Sequence, residues 1–147
     1  MTKKKIGLGL LVIVLVFGIT VVGCNDDMPQ NANIDTALNG TWLKALDNVT
    51  LKLDNGIFEI IYSEVPSEKG TYTTNKGKMT LTMTHQFGTP IGLDPKWYSK
   101  NELKTALLSS AEYTEEGIEA LFFIIISDYS VNNNNLTVLD GNFTKIN

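Results

Sequence analysis

Residues 78–87, KMTLTMTHQF, form the stretch that decides the fold of this 147-residue chain. Two sets of side chains alternate along it: Met79, Leu81, Met83 and His85 in one set, and Thr80, Thr82, Thr84 and Gln86 in the other. A period of two is typical of a half-buried β-strand. The pattern therefore predicts a strand whose methionines and leucine face a core and whose threonines face outward. The same alternation places His85 in the core-facing set.

Short β-strands are predicted on both sides of this segment. They cover residues 41–44, 49–54, 57–62 and 70–74 upstream, and residues 123–131, 136–139 and 142–146 downstream. Asn55-Gly56 separates two of these strands, and this dipeptide favours the tight type I′ turn of a hairpin. About eight short strands joined by tight turns predict an all-β domain. Because antiparallel closure removes exposed strand edges, we expect an up-and-down β-barrel.

A helical insertion is predicted between the fifth and sixth strands. Residues 88–98 contain two glycines and two prolines, which indicates a loop. Ser99 and Glu102 have the spacing of a capping box, and Leu103, Ala106 and Leu107 then follow on one helical face. A second short helix is predicted to start at Thr114, because acidic residues follow it in the first turn. We therefore expect one or two short helices in this position.

The amino-terminal segment has the pattern of an export signal. Three lysines at positions 3–5 precede residues 6–22, which contain no charged side chain. Val21-Val22-Gly23-Cys24 resembles the lipobox of bacterial lipoproteins. That resemblance implies cleavage after Gly23 and acylation of Cys24, the only cysteine of the chain. The alternative is an uncleaved signal-anchor that happens to contain a cysteine.

These patterns divide the chain into three predicted parts. Residues 1–23 form the lipoprotein signal peptide, residues 24–37 a flexible polar tether, and residues 38–147 the barrel domain. Lipid on Cys24 would place the protein in the bacterial cell envelope, anchored to a membrane through its amino terminus. The sequence leaves the membrane leaflet open.

Composition argues against a nucleic-acid partner. The chain contains lysine but no arginine, and removal of the three signal lysines leaves nine basic residues against sixteen acidic ones. Affinity for nucleic acids depends mainly on the neutralisation of phosphates by basic side chains. Without arginine the chain also lacks the bidentate fork that recognises carboxylates and phosphates.

The start of the predicted domain carries a family resemblance. Asn39-Gly40-Thr41-Trp42 resembles the Gly-x-Trp segment with which lipocalin-like folds begin. Together with residues 69–73, residues 96–100 and the lipobox, it makes the chain similar to small spirochaete-type lipoproteins with a lipocalin-like domain. The resemblance implies a lipocalin-like barrel, a tether and an envelope location, and it carries no activity.

The inventory of reactive side chains predicts no enzyme. His85 is the only histidine, so one chain cannot build a zinc site on several histidines. A Ser-His-Asp triad would need His85, and the Gly-x-Ser-x-Gly elbow is absent from the sequence. We therefore expect no catalytic residue, no metal and no cofactor.

Aromatic side chains are the remaining candidates for a binding site. The five candidates are Trp42, Phe58, Tyr72, Trp97 and Tyr98. Most aromatic residues in a small barrel fill its core, but the mouth of a barrel is also a common place for an apolar ligand. Trp97 and Tyr98 precede the first predicted helix, where they would either cover the mouth or anchor the helix.

Two functions remain open at this stage. In the first, the lipid-anchored barrel binds a small apolar ligand in its interior. In the second, the barrel core is solid and the protein contacts other molecules through its outer surface. A packed interior of Trp42, Leu51, Phe58 and Leu81 would favour the second function.

Overall fold

The computed structural model describes residues 33–108 and 113–147. The predicted signal peptide, Cys24 and residues 25–32 of the predicted tether lie outside the described residues. Expectations about them stay predictions. No helix in the described part of the chain is long and apolar enough to cross a membrane.

The described chain forms nine strands and two short α-helices. The strands are β1 Gly40–Lys44, β2 Val49–Asp54, β3 Ile57–Tyr62, β4 Val65–Asn75, β5 Lys78–Phe87, β6 Trp97–Ser99, β7 Ile124–Asn132, β8 Asn135–Val138 and β9 Gly141–Lys145. The helices are α1 Lys100–Leu107 and α2 Glu115–Glu119. Both helices lie between β6 and β7.

Eight of the strands close into an antiparallel barrel. Strands β1 to β5 pair in sequence order, β7, β8 and β9 continue the sheet, and β9 returns to β1. The closing pairs are Trp42 with Lys145 and Leu43 with Thr144. The prediction of an all-β, eight-stranded up-and-down barrel with inserted helices is confirmed. In the order of the barrel, the helices follow the fifth strand and precede the sixth, as expected.

The ninth strand, β6, was not predicted. Its first two residues, Trp97 and Tyr98, fall in the predicted loop. Strand β5 has two neighbours along its second edge, because β7 pairs with Lys78–Thr82 and β6 pairs with His85–Phe87. A strand of three residues is too short to show the alternation of side chains that indicates a β-strand. Its formation depends on the edge of β5 that β7 leaves free.

The tight turns follow the backbone freedom of their residues. Asn55 and Gly56 both have positive φ angles, of 45° and 90°, as the type I′ hairpin requires. The turn between β3 and β4 uses Ser63 and Glu64, also with positive φ angles. Because these two residues are not typical of such a turn, the sequence did not predict it. Strand β4 consequently begins at Val65, five residues before its predicted start.

Strand β5 has the predicted face up to Met83 and then departs from it. Met79, Leu81 and Met83 are buried, whereas the threonines between them are only partly buried. A register shift follows: Gly70 pairs with Met83 and Lys69 with His85, so Thr84 is an extra residue. This β-bulge turns Gln86 into the barrel in place of His85.

One end of the barrel is closed by the chain that leads into it. Residues Thr36–Leu38 form a single 3₁₀ turn whose Leu38 is fully buried. The indole Nε1 of Trp42 donates a hydrogen bond of 2.7 Å to the Leu38 carbonyl oxygen. The backbone of Thr74 donates to the carbonyl of Asn33 at 2.8 Å. Residues 33–37, assigned to the tether from sequence, are therefore bonded to the barrel. We call this the closed end and the opposite end the mouth.

Candidate functional site

The interior contains three of the five aromatic candidates. Trp42 and Phe58 are 0% exposed and Tyr72 is 1% exposed. They belong to one cluster with Leu51 and Leu81, which are equally buried. Interior side chains of β1 to β5, β8 and β9 thus fill the space in which a guest molecule would sit.

The structure separates the other two candidates, Trp97 and Tyr98. Because neighbouring residues of a strand point to opposite faces, their partners on β5 differ: Phe87 for Trp97 and the inward Gln86 for Tyr98. Trp97 lies edge-on to Phe87 on the outer face, with ring centroids 5.1 Å apart. The Lys69 ammonium lies 4.7 Å from the centroid of the Trp97 ring. The two rings therefore do not form a common cover over the mouth.

Tyr98 belongs to a second apolar cluster that holds the helices beside the barrel. Its buried partners are Leu103 and Leu107 of α1 and Ile118 of α2. The predicted capping box is present: the Ser99 backbone N–H donates to the Glu102 carboxylate at 2.8 Å. Of the two roles weighed for Tyr98, its position matches the anchoring of the helix.

Polar contacts also connect the two helices to each other and to the barrel. Lys104 of α1 forms ion pairs with Glu115 at 2.8 Å and Glu119 at 2.5 Å, and these pairs connect it to α2. The Gln86 side-chain amide donates a hydrogen bond of 2.7 Å to the carbonyl oxygen of Leu121. Since Gln86 is an interior residue of β5, this bond fixes the helical segment directly to the barrel.

Two surface depressions lie outside the core. The larger, of about 840 Å³, lies beside α2 and is lined by Thr114, Glu115, Glu116, Glu119 and Ala120. The smaller, of about 490 Å³, lies at the closed end and includes Asp35, Thr74 and Tyr129. Neither depression is lined by a side chain of the buried barrel core.

The depression at the closed end has internal hydrogen bonds. The Tyr129 hydroxyl donates to the Asp35 carboxylate at 3.1 Å, and the Thr74 hydroxyl donates to the Asn33 carbonyl at 3.0 Å. Partial burial, together with the hydrogen bond to Asp35, raises the pKa of Tyr129. These groups bond to one another, so their evident role is to hold the incoming chain on the barrel.

Glu68 is an interior carboxyl that the sequence analysis missed. It pairs with Ile60 on β3 and with Gln86 on β5, and both partners are buried inward residues. Because directly opposed residues share a face of the sheet, Glu68 also faces inward, near the mouth. Desolvation by burial raises the pKa of Glu68 to about 6, although a hydrogen bond from Ser67 opposes the shift. Tyr72 and Gly70 lie on the inward face of β4, and extending this period of two back by one step would have identified Glu68 as an inward residue.

His85 does not join Glu68. It lies on the outer face, where its Nδ1 is 2.9 Å from the Thr84 hydroxyl oxygen. Burial, with the nearby Lys69 ammonium, lowers the pKa of His85. In the described ranges, no group of three or more histidine, cysteine and acidic residues is arranged to hold a metal ion.

No protein-family model, curated protein or solved structure matches this chain. The class of the protein therefore rests on its own architecture: a closed eight-stranded antiparallel barrel with a helical segment attached beside its mouth. The resemblance to spirochaete-type lipoproteins with a lipocalin-like domain stays a prediction.

Glu68 generates a prediction about pH and stability. The folded-state pKa lies above the ordinary value of 4.5, so ionisation of Glu68 destabilises the fold as the pH rises through this window to about 6. Glu68→Gln keeps the shape and removes the charge. The variant should exceed the natural chain in unfolding free energy by roughly 1–2 kcal/mol above about pH 7. Below the ordinary carboxyl pKa the two should be equal.

Chemical denaturation across the pH range measures this difference. Glu64→Gln, in the β3–β4 turn, is the matched control and should not reproduce the pH-dependent gain. A Glu68→Gln chain that is less stable than the natural one at neutral pH would contradict the inward placement of this carboxyl.

Proposed function

We propose that this chain is a lipid-anchored protein of the bacterial envelope whose barrel is a solid, non-enzymatic scaffold for surface interactions. The observation that carries the proposal is the filled interior. Trp42, Phe58 and Leu81 are fully buried in one cluster, and the two surface depressions described above lie outside it. A carrier of apolar ligands would instead need an open, apolar cavity in this place.

The anchor in this proposal rests on the sequence. A basic head, an apolar run and Cys24 follow one another in the order that lipoprotein processing uses. From Cys24 to the first described residue, Asn33, the chain can span at most roughly 30 Å. An acylated Cys24 would therefore hold the barrel close to the membrane, with most of its outer surface available to other molecules.

The absence of a disulfide partner is compatible with this design. Cys24 is the only cysteine, so the exported domain must be stabilised by its core alone. A cavity inside the barrel would remove packing contacts and would therefore weaken that core. A filled barrel is the form of this fold that a chain without cross-links maintains most easily.

A titration with an environment-sensitive apolar dye tests the solid interior. The natural chain should show no saturable binding, because its core side chains occupy the interior. Phe58→Ala removes a fully buried ring and should increase dye binding, since it opens an apolar space. Circular dichroism must confirm that this variant is folded under the conditions used.

The opposite pattern would support a ligand carrier. If the natural chain binds the dye saturably and Phe58→Ala weakens the binding, then Phe58 lines an existing cavity and the scaffold proposal is wrong.

The anchor is tested by Cys24→Ser in a bacterial host. The natural chain should incorporate a labelled fatty acid and fractionate with membranes, whereas Cys24→Ser should lose the label and accumulate as an unprocessed precursor. Normal acylation and maturation of the variant would exclude Cys24 as the anchor.

A further inference from the structure

The mouth of the barrel differs in chemistry from the rest of the interior. Below it, β3, β4 and β5 contribute Phe58, Tyr72 and Leu81 to the core. At the mouth, the same three strands carry a set of polar side chains, which we call the mouth cluster: Tyr62, Ser67, Glu68 and Gln86. An apolar enclosure with a few convergent polar groups is the usual composition of a binding site.

Two β-bulges place this cluster. In β4, Glu68 pairs with Ile60 while Pro66 pairs with Ile61, so Ser67 is an extra residue. The bulge of β5 at Thr84 turns Gln86 inward beside Glu68. Bulges often occur at barrel rims, where they redirect side chains. Without them, simple alternation would leave His85 at the position that Gln86 takes.

The mouth cluster offers acceptors and lacks a cation. Among the described residues, no lysine forms an ion pair with Glu68. Gln86 donates one of its two amide N–H groups to the Leu121 carbonyl, and its amide oxygen can accept a hydrogen bond from a ligand. A carboxylate and neighbouring acceptor oxygens select a ligand that is positively charged and donates hydrogen bonds.

The neighbouring lysines are engaged elsewhere. Lys69 follows Glu68 but points to the outer face, where its ammonium lies over the Trp97 ring. Lys44, at the end of β1, forms an ion pair of 2.5 Å with Asp47. The carboxyl of Glu68 is therefore not neutralised by the side chains closest to it along the chain and around the rim.

Glu68 is partly exposed, and three exposed apolar side chains lie at the rim of the mouth. Tyr62 is 42% exposed, Val65 is 39% exposed, and Leu46, in the turn between β1 and β2, is 92% exposed. Tyr62 and Val65 pair across the β3–β4 hairpin, and the Ser63 N–H donates to the Asn48 carbonyl at 2.9 Å, which joins the two turns. A ligand that reaches Glu68 therefore passes apolar side chains.

We propose that the mouth binds a primary ammonium group carried on a short alkyl stem. The ammonium group contacts the carboxylate of Glu68 and the oxygens around it, and the stem packs against Tyr62, Val65 and Leu46. The inference rests on the proposed function in one respect, because it takes the barrel below the mouth as filled. It adds to that function a specific site and the chemistry of its partner.

The site is sensitive to pH because it needs the ionised carboxyl. Tyr62 is the titratable group on β3 that interacts with Glu68, and its own pKa is raised to about 12, so it stays neutral. On β5, Gln86 does not titrate and His85 faces outward; at the rim, Lys44 is paired with Asp47. With a pKa of about 6 for Glu68, affinity should rise about tenfold between about pH 5 and 7.

The test uses the full chain in detergent and n-hexylammonium chloride as the probe. Titration followed by NMR should show saturable binding at neutral pH, with the largest shifts at Glu68 and Tyr62. Glu68→Gln, which keeps the size of the side chain, should weaken the affinity at least about tenfold and abolish its pH dependence. Glu64→Gln removes a carboxylate from the same rim without touching the cluster and should bind like the natural chain.

Two further probes separate the outcomes. Nα-acetyl-lysine methylamide carries the same ammonium as part of a polypeptide; if it binds through Glu68, the partner is a lysine side chain, and if only hexylammonium binds, it is a free amine. If neither ammonium compound binds, or if both bind equally well to Glu68→Gln, the inference is wrong. The proposal of a solid scaffold is not affected by that result. Hexanol that binds as tightly as hexylammonium, independently of Glu68, would instead show a general apolar cavity and overturn both proposals.

Discussion

The pleat of strand β5 is the constraint on which the rest of the barrel depends. Because side chains alternate, Met79, Leu81 and Met83 must share one face, and burying them requires strands on both sides. Strand β4 pairs with β5 along nearly its whole length, and the other edge is divided between β7 and β6. The barrel closes around this strand, and the helical segment attaches beside the part of the β5 edge that β7 does not cover.

The same strand shows how a local irregularity creates chemistry. Gly70 lies opposite Met83 and Phe58 at the edge of the β5 bulge, and a Cβ atom there would overlap the carbonyl oxygen of Thr82. Only glycine permits so close an approach. Beyond this point the bulge turns Gln86 inward beside Glu68, so an apolar barrel acquires a polar mouth without losing its closed sheet.

The sequence predicts features that depend on neighbouring residues, and it does not predict features that depend on residues far apart in the chain. The turn at Asn55-Gly56 and the capping box at Ser99 depend on neighbouring residues, and both are present. Strand β6 and the β5 bulge depend on which edge of a distant strand is free, so no local pattern indicates them. The inward position of Glu68 follows from the alternation of β4, but only once the strand is known to begin at Val65.

The aromatic residues show the same limit. Their number predicted a core, and Trp42, Phe58 and Tyr72 lie in it. Trp97 and Tyr98 are adjacent in sequence and were expected to act together, yet a three-residue strand sends them to opposite faces. The chemistry of the mouth comes instead from polar residues, because the interior below it is already filled.

The central claim is that the barrel is filled by side chains of one-faced strands. Equilibrium denaturation of Leu81→Ala and Thr82→Ala, neighbours on opposite faces of β5, tests it most directly. Leu81 is fully buried, so its truncation should lower the unfolding free energy by roughly 2–5 kcal/mol. The outward Thr82→Ala should change it by no more than about 0.5 kcal/mol. Small and equal effects at the two positions would contradict a packed interior.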